Sequence, residues 1–110
     1  MSAYVDPTRI IQLKEFMGAE ADPMIASMLS SLVGAIERLE SVVTAGEIEA
    51  AVQVAHTARN DALMLGAGPL QEALRELEAA ARDADAAGTG ALLERVHEIW
   101  PPTWEQLQGL

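Results

Sequence analysis

The sequence predicts an all-α protein: an antiparallel up-down-up-down four-helix bundle with an additional short N-terminal helix. Three observations predict it. Apolar residues recur at spacings of three and four along most of the chain. Glycine and proline fall where such runs start and stop. No segment alternates apolar and polar residues over the length of a strand.

The first helix is expected over about 6–17. Asp6-Pro7 reads as a cap followed by proline at the first helical position, and Ile10, Leu13 and Met17 share a face with Ile11 beside them. Gly18 ends it, and the helix is expected to lie across or beside one end of the bundle as a lid. The second helix, about 22–45, repeats the signal with Asp22-Pro23 and carries Ile25, Leu29, Leu32, Ile36, Leu39 and Val43 inward before Gly46. In the third, about 47–65, Ile48 and Leu65 bracket a seam of Ala51, Ala55, Ala58 and Ala62, so neighbouring helices can approach closely. Glu47 and Glu49 suit the positive end of its dipole. The fourth, about 69–86, buries Leu70, Leu74, Leu77 and Ala81. Gly88-Thr89-Gly90 reads as a break before the fifth, about 91–99, with Leu92, Leu93, Val96 and Ile99 inward. Pro101-Pro102 is expected to interrupt that helix, because the residue before a proline is biased away from helical backbone. Trp100 and Trp104 are expected to pack the terminal turn onto the bundle.

Composition narrows the function. A chain of 110 residues is expected to form a single domain spanning 1–110. Half of it is hydrophobic but only 4% is aromatic, so the core must be aliphatic. There is no cysteine, which removes disulfides and thiolate metal sites. The net charge of -10 argues against nucleic acid and anionic membranes as partners. No apolar run approaches the ~20 residues that span a bilayer. The segment Met1-Ser2-Ala3-Tyr4-Val5-Asp6-Pro7 lacks the basic and apolar regions of a leader. A monomer in the cytoplasm is the expectation.

The candidate site centres on His56. At 100° per residue, positions 56, 59, 60 and 63 share one face of the third helix, beside the alanine seam rather than on it. Residues three and four apart have Cβ atoms about 5–6 Å apart, so Arg59 and Asn60 can both reach a group attached to His56. A neutral imidazole nitrogen is a nucleophile near neutral pH, and a guanidinium can steady the oxygens of a phosphoryl group. The antiparallel turn at Gly66 sets Glu78 level with His56. Its carboxylate is expected to accept the Nδ1–H and leave Nε2 free. Val52, Leu63 and Met64 form an apolar collar on or beside this face, as a docking surface would. Read one by one, the favoured expectation is plainer: Val52 and Leu63 complete the core edge and Met64 packs under the first helix.

The segment Ala55-His56-Thr57-Ala58-Arg59-Asn60-Asp61-Ala62-Leu63-Met64-Leu65-Gly66-Ala67 resembles the signature of histidine-containing phosphotransfer (HPt) domains of bacterial and fungal phosphorelays. That signature is His-x-Leu-Lys-Gly, followed by small residues and Leu-Gly-Ala. The resemblance extends to Ala45-Gly46-Glu47-Ile48 upstream and Leu77-Glu78-Ala79-Ala80-Ala81-Arg82 downstream. It implies a four-helix bundle that carries phosphoryl groups between receiver-domain aspartates and does not hydrolyse ATP itself. By the same resemblance His56 is phosphorylated, Glu78 stands where an orienting Gln or Glu is common, and Arg59 replaces a lysine. Asn60 replaces a glycine and Ala58 a leucine. The implied partners are response-regulator receiver domains or a hybrid histidine kinase, with Mg²⁺ on the receiver only and no cofactor or metal on this chain.

Two other classes fit the bundle. One is an interaction module that binds a receiver or kinase without carrying phosphate. The other is a helical adaptor that dimerises through its N-terminal helix. His97 has no partner at metal-ligand spacing, and without a Glu-x-x-His motif a di-iron bundle is not expected.

Overall fold

The computed structural model describes residues 4–110. Met1, Ser2 and Ala3, which open the segment read above as lacking a leader, lie outside the described residues. The described residues form helices and no strand: α1 (Thr8–Met17), α2 (Ala21–Thr44), α3 (Ile48–Met64), α4 (Gly68–Arg82) and α5 (Ala86–Gln108). Successive helices from α2 onward are joined by three residues each, at 45–47, 65–67 and 83–85. Helices that pack together across such short turns must run antiparallel. α3 packs between α2 and α4, α4 packs on α5, and α5 meets α2, so the helices form a bundle. No helix among the described residues is long and apolar enough to cross a membrane.

The core is aliphatic. Leu32 and Leu39 of α2, Leu70, Leu74 and Leu77 of α4, and Val96 of α5 are fully buried. They meet the alanine seam of α3, where Ala51, Ala55, Ala58 and Ala62 are sealed from solvent. Ile48, expected inward, is exposed, because it opens α3 beyond the last turn of α2. Ile11 is exposed as well.

The three turns share one hydrogen-bond pattern. In each, the residue after the left-handed position donates to the carbonyl five residues back: Glu47 to Val42, Ala67 to Ala62 and Asp85 to Ala80. This is the Schellman closure, which needs a positive φ at its penultimate residue. Gly46 and Gly66 supply it at 73° and 77°, whereas Ala84 supplies it at 55°. Gly66 is also the close-approach point of the N-terminal segment. Its carbonyl accepts from Asp6 N at 2.9 Å, and a Cβ there would stand 2.3 Å from Asp6 O. Gln106 Oε1 of α5 accepts from Tyr4 N and Val5 N at 3.2 and 3.0 Å.

The expected lid is not clearly set apart. A 3₁₀ turn, Gly18–Glu20, carries α1 directly into α2. α2 consequently starts one residue before Asp22, and Pro23 sits in the first turn, where its missing N–H has no helical partner to lose.

Two expected breaks are absent. α4 ends at Arg82, and α5 already begins at Ala86. Asp85 caps α5 by accepting from Gly88 N at 2.9 Å, so Gly88, Thr89 and Gly90 belong to its first turns. α5 also continues through Pro101 and Pro102 to Gln108. The prolines withdraw the donors for the carbonyls of His97 and Glu98, but both residues are exposed and water can serve instead. Ile99, Thr103 and Leu107 form a buried stripe across the prolines, and Thr103 Oγ1 bonds Ile99 O at 2.7 Å. Packing overrides the local bias. Trp100 and Trp104, both half-buried, lie with ring centroids 5.7 Å apart.

Candidate functional site

His56 lies mid-way along α3, at the shoulder facing α4. Ala55 and Ala58 beside it are sealed in the core, which fixes the helix and leaves the imidazole at the surface with 45% of its side chain exposed. Arg59 follows one turn later. Its Nη2 lies 3.1 Å from His56 Nδ1.

Glu78 comes from α4, brought level with His56 by the turn at Gly66. It occupies the edge of the stripe that buries Leu74, Leu77 and Ala81, and its side chain is only 8% exposed. Its Oε2 stands 3.4 Å from His56 Nδ1 and accepts from Arg82 Nη2 at 2.8 Å. Its Oε1 stands 3.5 Å from Arg59 Nε and, though buried, makes no hydrogen bond. One buried carboxylate is thus met by two guanidinium groups and an imidazole. The cluster itself sets two cations against one anion on an otherwise acidic chain. Such a spot attracts an anion.

A family model described as the Hpt domain matches residues 23–108, which is most of the chain. The chain belongs to the Hpt domain family. Hpt domains are phosphocarrier modules of histidine phosphorelays and interact with receiver domains and kinases. No curated protein and no solved structure matched the chain.

Among the sequence-predicted residues of this Hpt domain, the structure brings His56, Arg59 and Glu78 together. The hydrogen bond to Nδ1 comes from Arg59, with Glu78 slightly farther away. Asn60 lies on the exposed face one turn from His56, and among the described residues its side chain makes no hydrogen bond. Leu63 and Met64 of the apolar collar are exposed and Val52 is half-buried. Met64 shares a surface hollow with Arg9, Gln12, Leu13 and Phe16 of α1, and Phe16 is 90% exposed. Eight residues of helix place Met64 about 12 Å from His56.

Sequence reasoning missed Arg82. The signal was present in the spacing, since Glu78 and Arg82 are four apart and face each other on α4. It could not be used without knowing that Glu78 is buried. Among the described residues no group of three or more His, Asp or Glu stands close enough to hold a metal ion.

Proposed function

We propose that this Hpt domain accepts a phosphoryl group from a receiver-domain aspartate onto His56 and passes it to another receiver. The observation that carries the reading is the half-exposed imidazole with a guanidinium at bonding distance and a buried carboxylate behind it. In the forward step the Nε2 lone pair attacks phosphorus, and the P–O bond to the receiver aspartate breaks with its electron pair returning to that carboxylate. Arg59 steadies the phosphoryl oxygens by charge-assisted hydrogen bonds. Glu78 receives the Nδ1–H and holds the ring plane, and Asn60 faces the incoming group from the same side. The receiver supplies Mg²⁺. The chain itself acts as a carrier rather than a turnover enzyme, as a monomer within the cytoplasm and as one domain over 1–110. The exposed apolar residues of α1 and of the end of α3, about 12 Å along the helix from His56, support a receiver docking face on the same protein.

Incubation with a phosphorylated receiver, followed by a test for acid-labile, base-stable label, checks this reading. The wild-type chain takes up label and folded His56→Gln does not. Label retained in His56→Gln refutes the assignment.

A further inference from the structure

The hydrogen bond between Arg59 and His56 dictates which ring nitrogen carries the proton. A guanidinium has donors and no acceptor, and it stays protonated in proteins. Nδ1, 3.1 Å from Arg59 Nη2, must therefore present its lone pair to Arg59. In the neutral ring the proton then sits on Nε2, the exposed nitrogen. A protonated Nε2 has no lone pair with which to attack phosphorus. The arrangement in the free protein is the resting tautomer, not the reactive one.

The reactive tautomer already has its acceptor in place. Glu78 Oε2 lies 3.4 Å from Nδ1, and the other oxygen of that buried carboxylate makes no hydrogen bond. Arg82 holds Oε2 from the far side, so the carboxylate stays put when Arg59 moves. Among the described residues, the charged groups around the ring are Arg59 of α3 and Glu78 of α4, with Arg82 acting through Glu78.

We propose that Arg59 is a tautomer gate. In the free protein it caps Nδ1 and keeps Nε2 protonated. An arriving phosphoryl group offers anionic oxygens, which bind a guanidinium more strongly than a neutral imidazole nitrogen does. Arg59, with 26% of its side chain exposed, turns from Nδ1 to those oxygens. The ring then takes a proton from water at Nδ1, whose N–H donates a hydrogen bond to Glu78, and gives its Nε2 proton to water, with no net change in charge; once the N–P bond has formed, the Nδ1 proton leaves to water. The freed Nε2 lone pair forms the N–P bond as the P–O bond to the donor breaks. The nucleophile is thus switched on by the anion it is to receive. This inference rests on the carrier reading above, and it adds that Arg59 acts on the ring before it acts on the phosphoryl group.

The test is long-range ¹H–¹⁵N NMR of the ring nitrogens. It uses a His97→Gln background, so that His56 is the only histidine, at about pH 8.5, above the ordinary imidazole range. The free protein is expected to show Nε2–H. Arg59→Ala is expected to shift the tautomer ratio roughly tenfold toward Nδ1–H, as loss of one charge-assisted hydrogen bond requires. Arg59→Lys, which keeps the charge, checks that any change does not come from unfolding and is expected to retain Nε2–H. A free wild-type ring already protonated at Nδ1 overturns the gate, as does an unchanged ratio in Arg59→Ala. Phosphoramidate added to the same sample separates the two readings. Uptake onto Nε2 of His56 by a free ring found as Nε2–H supports both. No phosphohistidine overturns the carrier reading, whereas uptake by a free ring found as Nδ1–H overturns the gate alone.

Discussion

Glu78 holds its Oε2 3.4 Å from Nδ1 of His56 while being almost sealed from solvent itself. A carboxylate in that position is costly unless its partners offset the loss of water. Arg59 and Arg82 do so. The pairing therefore ties the stability of the α3–α4 interface to the chemistry of the ring.

Glu78→Ala removes the carboxylate that the two arginines share. Both arginines reach solvent, so the cost to folding is modest, about 1–2 kcal/mol in a urea melt. Phosphoryl uptake at His56 falls on the order of tenfold, because the ring loses its orienting partner. Glu78→Gln keeps an acceptor oxygen and retains more of the uptake than Glu78→Ala. Equal loss in both variants would show that the oxygen does not orient the ring.

Phe16→Ala separates docking from folding. An aromatic ring 90% exposed contributes little to the core, so the unfolding free energy stays within about 0.5 kcal/mol of wild type. Transfer from a phosphorylated receiver slows through a raised KM, while uptake from a small donor such as phosphoramidate is unchanged. Loss of both activities together would place the effect at His56 rather than at a docking face.

Ala84→Gly stabilises the protein. Ala84 takes a left-handed φ of 55° in a turn whose two counterparts use glycine. Relief of the Cβ clash outweighs the added chain entropy by about 0.5–1 kcal/mol. Gly66→Ala moves the other way by about 2 kcal/mol or more, since it meets both the positive φ and the carbonyl of Asp6. Denaturant melts of the two variants with opposite signs are the expected result.

The sequence alone determined the helical class, most of the buried stripes and the face that carries His56. These follow from local periodicity and turn chemistry, which each segment encodes for itself: Leu70, Leu74 and Leu77 are buried as their spacing requires. Tertiary structure decided what periodicity cannot carry. Only the packing of Ile99, Thr103 and Leu107 carries α5 through two prolines, and only Asp85 accepting from Gly88 draws two glycines into a helix. Likewise Arg59 and Arg82 converge on Glu78 because burial raises the cost of a lone carboxylate until cations from two helices answer it. Whether Nδ1 faces a donor on its own helix, Arg59, or an acceptor on the next, Glu78, is a matter of tenths of an ångström, and α3 alone does not hold that information.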